Sequence, residues 1–264
     1  MALDDIDGDS IPDVAVSSDR TGFGETYGTV SLFSGASGDL LMRIIGTGGG
    51  WGHAMTTCPD LDGDMIEDLV VSQLSTDRGL VYSTKTGLFL RGVAEPFGVP
   101  GTFGIYMNNL GDLNGDDYKD YVISDVFAST EEEFSWSGAA FVFSGVSSEL
   151  LCSYYGVRFS FFGLSATSLR DLNHDGRQEI AVGAPFGYGK VYIFSINVPG
   201  DANQDGRISL ADVVVKINYI FRSGPRPLPM SVADDDCNGT IDLNDIICAV
   251  NYIFKGQTQG CCLK

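Results

Sequence analysis

The sequence predicts a mainly β chain of four repeated units, followed by a small α module at the C-terminal end. Three observations carry this. A nine-residue acidic stretch recurs with first positions at 5, 60, 112 and 171. Short β-branched runs opened or closed by glycine fill the intervals. From Pro199 onward two acidic stretches of a different length each run into apolar residues at helical spacing.

The acidic stretch is plainest at Asp60-Leu61-Asp62-Gly63-Asp64-Met65-Ile66-Glu67-Asp68, with carboxylates at positions 1, 3, 5 and 9. Along a continuous strand these side chains would stand too far apart to share an ion. A backbone curled at the glycine brings them to one point, with the Ile66 carbonyl as a further oxygen. Such a ring of hard oxygens suits Ca²⁺, whereas Mg²⁺ retains waters and holds a stricter octahedron. The other copies are Asp5, Asp7, Asp9 and Asp13 with the Ile11 carbonyl; Asp112, Asn114, Asp116 and Asp120 with that of Tyr118; and Asp171, Asn173, Asp175 and Glu179 with that of Arg177. Aspartate and glycine also mark solvated turns, but repetition in one grammar favours metal.

Each loop feeds a strand: Asp13-Val-Ala-Val-Ser, Asp68-Leu-Val-Val-Ser, Asp120-Tyr-Val-Ile-Ser and Glu179-Ile-Ala-Val-Gly. A second strand follows, as in Gly138-Ala-Ala-Phe-Val-Phe and Gly189-Lys-Val-Tyr-Ile-Phe, and a third in the first three units, as in Gly38-Asp-Leu-Leu-Met-Arg-Ile-Ile. The next unit opens on an aromatic-glycine pair, Trp51-Gly52, Phe103-Gly104 or Phe162-Gly163. Four short strands per unit at such a period fit a propeller blade. The first unit lacks its opening strand and the fourth its outermost, so 14 strands are expected.

The order aromatic-Gly, acidic loop, strand, Gly-Ala-Pro resembles the FG-GAP repeat of integrin α-subunit propellers. The fourth unit fits best, with Phe162-Gly163, the loop from Asp171 to Glu179, and Gly183-Ala184-Pro185. The others end in Ser17-Ser18-Asp19, Ser72-Gln73-Leu74 and Ser124-Asp125-Val126. The resemblance, over about residues 3–197, implies an integrin-alpha-like β-propeller with calcium in its loops and an interaction surface. Such propellers usually close with about seven blades. The expectation is therefore a partial, about four-blade segment (residues 1–198) with blades missing upstream. The alternative is an open array with exposed edges.

In residues 199–264 the grammar changes. Asp201, Asn203, Asp205, Ser209 and Asp212 stand at positions 1, 3, 5, 9 and 12 of one loop, with the Arg207 carbonyl at position 7. Asp234, Asp236, Asn238, Asp242 and Asp245, with the Thr240 carbonyl, repeat it. Both have glycine at position 6, as an EF-hand loop requires. Helices are expected over Asp212–Phe221 and Asp245–Phe254, with stripes Val213, Ile217, Ile220, Phe221 and Ile246, Val250, Ile253, Phe254 packed on each other. This duplicated loop-helix unit resembles a type I dockerin, which implies a calcium-dependent tether to a cohesin-like module. Positions 10 and 11, commonly Ser-Thr in cellulosomal dockerins, are here Leu210-Ala211 and Leu243-Asn244, so the partner stays open.

Composition agrees with a calcium protein and excludes other classes. Of 35 acidic residues, 21 occupy ligand positions, and the net charge is −19. Six Ca²⁺ ions would bring it to about −7, ordinary for a soluble domain. An acidic chain has no nucleic-acid footprint, and no apolar run is long enough to span a membrane. Calcium sites without a nucleotide partner point to an extracellular or cell-surface setting. Met1–Asp5 shows no export signal, and the first unit starts in mid-repeat, so the signal peptide is expected upstream. Cys58 and Cys152 read as small buried hydrophobes, whereas the adjacent Cys261 and Cys262 are expected to bridge to Cys237 and Cys248.

No catalytic constellation is found. The histidines are His53 and His174, and no nucleophile elbow, phosphate loop or zinc motif is present. Glu131-Glu132-Glu133 reads as a solvated blade tip rather than a glycosidase pair. The leading expectation is a secreted, non-enzymatic calcium-binding interaction or adhesion protein whose partner is a cohesin-like module or a cell-surface protein. The alternatives are a non-catalytic or truncated part of a polysaccharide-degrading complex, or a carbohydrate-binding propeller with Trp51, Phe103, Tyr106 and Trp136 as stacking residues.

Overall fold

A computed structural model describes residues 1–18, 27–96, 101–114, 116–128, 136–172, 178–186, 188–195, 200–203, 208–227, 232–235 and 240–255. The chain divides into two compact units. One comprises Met1–Ser168 with Ile180–Phe194, the other Leu169–Glu179 with Ser195–Lys264.

The β-branched and aromatic runs form fourteen strands among the described residues. β1 (Val14–Ser18), β2 (Thr29–Phe33) and β3 (Leu40–Ile45) make the first sheet. β4 (Trp51–Cys58), β5 (Asp68–Gln73), β6 (Arg78–Tyr82) and β7 (Phe89–Ala94) make the second. β8 (Tyr106–Asn109), β9 (Tyr121–Asp125), β10 (Ala139–Phe143) and β11 (Leu150–Tyr155) make the third. β12 (Ser165–Ser168), β13 (Glu179–Ala184) and β14 (Lys190–Ser195) make the fourth. Sequential neighbours pair in every sheet, and the ladders with a determined register are antiparallel. Ahead of β1, Ala2 bridges Val14 in antiparallel fashion, and the Leu3 amide donates to the Asp13 carbonyl at 2.8 Å.

The repetition reaches fine detail. The pairs β2–β3, β6–β7 and β10–β11 each slip register at their last residue, leaving Leu41, Leu90 and Leu151 unpaired at a bulge. The turn before each outer strand is closed by a serine: Ser34, Ser83 and Ser144 Oγ accept from the amides of Ser37, Thr86 and Ser147.

The aromatic-glycine pair is the joint between successive sheets. Trp51, Phe103 and Phe162 are fully buried. Trp51 lies in a core with Val30 and Leu32 of the first sheet and Leu69 and Val71 of the second. Phe103 lies in the next, with Val70 and Val81 of the second sheet and Tyr121, Ile123 and Phe141 of the third. Gly104 follows at φ +97°, where a Cβ would sit 2.9 Å from Ser72 Cβ, so glycine is required on both counts. Burial overturns the stacking expectation for Trp51 and Phe103: both rings fill core space and present no face to a sugar.

The other unit contains α1 (Leu210–Arg222) and α2 (Leu243–Lys255). Ser209 caps α1, its Oγ accepting from the Ala211 amide at 3.1 Å, while Asp212 completes a capping box. Val213, Ile246 and Ala249 form a core with Ile217, Ile220, Val250 and Ile253, so the helices bury their stripes on each other. Phe221 and Phe254, expected in these stripes, are instead exposed at the helix ends. No helix among the described residues is long and apolar enough to cross a membrane. Cys58 and Cys152 are free thiols. Burial raises both, Cys152 to about 12, so neither is a ready nucleophile. The expected bridges from Cys261 and Cys262, and Cys237 itself, lie outside the described residues.

Candidate metal centres and an aromatic face

The second acidic loop connects β4 to β5, and its curl has a local cause. Gly63 (φ +84°) and Met65 (φ +70°) are left-handed, which turns successive amides inward. Asp60 Oδ1 accepts from the amides of Asp62, Gly63 and Asp64 at 3.1, 2.6 and 3.2 Å, and Oδ2 accepts from Met65 at 2.6 Å. The first loop repeats this: Gly8 and Ser10 are left-handed, and Asp5 accepts from Gly8, Asp9 and Ser10. The Ser10 amide leads in holding the Asp5 carboxyl below the usual range. In the third loop Asp117 takes φ +70°, and Asp112 accepts from Asp116 and Asp117.

The last acid of each loop folds back to lock it. Asp13, Asp68 and Asp120 accept from the amides of Ile6, Leu61 and Leu113 at 2.7, 2.8 and 2.9 Å. In the first and third loops the other oxygen accepts from Gly35 and Gly145, at 2.9 and 3.0 Å. In the second loop Thr84 holds that place, and Asp68 Oδ1 is buried with no hydrogen bond of normal geometry, as is Asp64 Oδ2. Glu179, last acid of the fourth loop, accepts from the Leu172 amide at 2.6 Å and from Ser195 Oγ at 3.2 Å.

Carboxylate oxygens of Asp5, Asp7 and Asp13, and those of Asp60, Asp62 and Asp68, lie within 4.8 Å of one another. Without a cation such a cluster is unfavourable. Burial first, then repulsion from Asp62 and Asp60, pushes the Asp68 carboxyl up to about 6, against the amides of Leu61 and Thr84. Asp120 is pushed to about 7 by burial, with Asp116 and Asp112 adding to it. A donor set of oxygens alone, with buried unpaired members, fits a hard divalent cation.

Asp9 and Asp64 accept the Ile11 and Ile66 amides at 2.8 and 2.9 Å; the Asp116 carboxylate accepts from Asn114 Nδ2 and the Tyr118 amide, while the Asp116 amide donates to Asn114 Oδ1. Asp171 is described, whereas Asn173, Asp175 and Arg177 lie outside the described residues, as do Asp205, Arg207, Asp236 and Asn238. In the other unit Asp201, Asp212, Asp234 and Asp245 are buried. Asp212 accepts from Asn203 and Ser209 at 3.0 and 2.8 Å, and Asp245 from Asp242 at 2.6 Å, while Thr240 is exposed.

Two features escape a reading for ligands alone. Glu67 and Lys119, both at loop position 8, form a 2.6 Å ion pair between successive loops; opposite charges at one repeat position were the available signal. The second is a group of aromatic side chains where the antiparallel alternation puts the far end of the blades. Trp136, half-exposed, lies 6.0 Å from Phe127, 6.1 Å from Phe159 and 5.9 Å from Phe161, and Phe161 lies 4.4 Å from Phe186. Tyr106 stands apart, its hydroxyl donating to the Ala166 carbonyl at 2.9 Å.

Residues 162–194 match the family model of the FG-GAP repeat. The chain is 38% identical to integrin alpha-3 of Cricetulus griseus over 39% of its own length and 10% of that protein. It is 40% identical to human integrin alpha-7 over 34% of its length and 8% of that protein. Against integrin alpha-5 of Xenopus laevis it is 29% identical over 60% of its length. The chain thus spans about a tenth of the first curated relatives it matches. The residues matched by the family model run from the Phe162 joint to β14 and include the full Gly-Ala-Pro ending.

Proposed function

We propose that this is a secreted calcium-binding interaction protein of adhesion type, with a propeller segment that presents a binding surface. In this reading six Ca²⁺ ions are held, four in the loops before β1, β5, β9 and β13 and two in the C-terminal module. The ligands are the side chains and carbonyls named from the sequence. The domain boundary falls near residue 198, and the C-terminal module acts as a dockerin that tethers the chain to a cohesin-like partner.

One observation carries the calcium part: Asp64 Oδ2 is buried without a hydrogen bond, and Asp68 Oδ1 without one of normal geometry, in a loop that gathers three carboxylates. Burying such charge uncompensated costs several kcal/mol, about 3–5 for a broken buried pair. The similarity to integrin α chains and the exposed aromatic group support the interaction part, since apolar clusters left in water mark binding surfaces. Trp136 and Phe159 keep a polysaccharide open as the bound species.

The test is calorimetric titration of calcium into the EGTA-stripped chain, followed by binding to immobilised cohesin modules and a glycan array with and without calcium. Tight multi-site uptake and calcium-dependent cohesin binding support the whole reading. Absence of calcium uptake removes it. Glycan binding in place of cohesin binding transfers the partner to the polysaccharide class.

A further inference from the structure

The turn after β2, β6 or β10 closes over the acidic loop of its own sheet, and the second sheet does this differently. In the first sheet the turn serves both late acids of the loop. Ser34 Oγ donates to Asp9 Oδ2 at 3.5 Å, and the Gly35 amide donates to Asp13 Oδ1 at 2.9 Å. In the third sheet the Gly145 amide donates to Asp120 Oδ1 at 3.0 Å. The corresponding atoms of the second loop are Asp64 Oδ2 and Asp68 Oδ1, and both are buried without a hydrogen bond of normal geometry.

One residue accounts for the difference. Aligned on the serine that opens the turn (Ser34, Ser83, Ser144), Gly35 and Gly145 correspond to Thr84. A Cβ on Gly35 would overlap the Pro12 carbonyl oxygen, and a Cβ on Gly145 that of Lys119. Both carbonyls belong to the residue directly before the last acid of the loop. The Cβ direction at this turn position therefore leads into the loop, and a side chain there holds the turn off it. Thr84 is fully buried, and its Oγ1 also lacks a hydrogen-bond partner. Its amide remains beside the Asp68 carboxylate, where it favours the ionised form. Buried polar groups are almost always paired, so these orphaned oxygens of Asp64, Asp68 and Thr84 mark the place of a shared partner.

We propose that Thr84 is a further ligand of the cation held by the second loop and makes this site tighter than those of the first and third loops. Its Oγ1, an acceptor with two lone pairs, joins the carboxylate oxygens that the displaced turn leaves unspent. Calcium takes about six to eight oxygens, so a donor from outside the nine-residue stretch has a place in the shell. In the first and third loops the last acid already spends both oxygens on amides, and an ion gains less there. The inference rests on the calcium part of the proposed function.

The experiment is calcium titration of the EGTA-stripped full chain in competition with a chromophoric chelator, for wild type, D7N, D62N, T84V and T84S. Asp7 and Asp62 hold the same loop position, so D62N is expected to abolish a binding class tighter than the one that D7N abolishes. T84V keeps the shape and removes the hydroxyl. It is expected to weaken the tighter class by about tenfold or more, the scale on which loss of a group around a metal is felt, and T84S is expected to restore it. Circular dichroism and melts in EGTA check each fold, and the comparison of D62N with D7N decides even where T84V does not fold. A T84V that binds as wild type does overturns the proposal, as does a tighter class lost in D7N. Wild type that takes up no calcium overturns the calcium reading together with this inference, whereas uptake indifferent to T84V overturns this inference alone.

Discussion

Lys216 Nζ lies 2.6 Å from both carboxylate oxygens of Asp235, and both side chains are buried. By the internal duplication of the C-terminal module, Lys216 corresponds to Ala249 and Asp235 to Ala202. Both alanines are buried as well. Each half of the module thus contributes one member of the ion pair and, at the equivalent positions, one of two buried methyl groups. Burial pushes the Asp235 carboxyl up while Lys216 holds it back. Removing one partner strands a charge, at a cost of about 3–5 kcal/mol, whereas removing both often costs little. Chemical denaturation is expected to rank K216A and D235A well below the double variant K216A/D235A. A double variant less stable than either single would show that the pair contributes net stability.

Calcium removal and D68N are expected to change sign together. With calcium bound, Asp68 supplies a ligand, and the asparagine loses both charge and ion, lowering the melting temperature. A ligand at a hundred times its Kd stabilises the fold by about 2.7 kcal/mol, which sets the scale of the loss from one site. In EGTA the Leu61 and Thr84 amides still favour the buried Asp68 carboxylate but are outweighed by burial and by repulsion from Asp62 and Asp60, so D68N is expected to melt above wild type. Scanning calorimetry of both proteins under both conditions checks the crossing.

The raised carboxyls give a pH dependence with a fixed sign. Asp68 and Asp120 have folded values of about 6 and about 7 against an ordinary 3.8. Between the ordinary value and the folded one, the metal-free fold binds more protons than the unfolded chain, so its stability falls as pH rises through that window. Calcium displaces those protons, so its affinity is expected to weaken as pH falls below 7. Titrations at pH 6.5 in buffers of different ionisation enthalpy would report the release. An affinity flat from pH 7.5 to 5.5 would contradict it.

The sheet order was legible in the sequence because the information is local and repeated. An acid at loop position 9 starts a strand, a glycine opens the next, and the count of fourteen follows from the ends of units one and four. The loops were legible for the same reason, since glycine at position 4 announces the curl at Gly8 and Gly63. Less visible was the second left-handed residue, because Ser10, Met65 and Asp117 share no chemistry; the amide contacts to the first carboxylate hold them there. The alternative that makes Trp51 and Phe103 sugar-stacking residues fails on burial; sequence alone does not show this, because an aromatic beside glycine at a strand start looks alike whether it faces solvent or the preceding sheet. Phe221 and Phe254 fit a helical stripe by spacing, yet the helix pair ends before it can cover them.

The aromatic-glycine joint gives the sharpest stability prediction. Gly104 (φ +97°) and Gly163 (φ +95°) would each bring a Cβ against the preceding sheet, 2.9 Å from Ser72 Cβ and 2.6 Å from the Ala139 carbonyl. A left-handed alanine alone costs about 1–2 kcal/mol, and the contact adds to it. G104A and G163A are therefore each expected to lose at least about 2 kcal/mol, a fall of roughly 4–8 °C for a domain of this size. Gly92 is the control, with no positive φ and a nearest neighbour at 3.7 Å. G92A is expected to be neutral or slightly stabilising, because it narrows only the unfolded ensemble. Equal losses at all three positions would show that the cost does not lie in the joint.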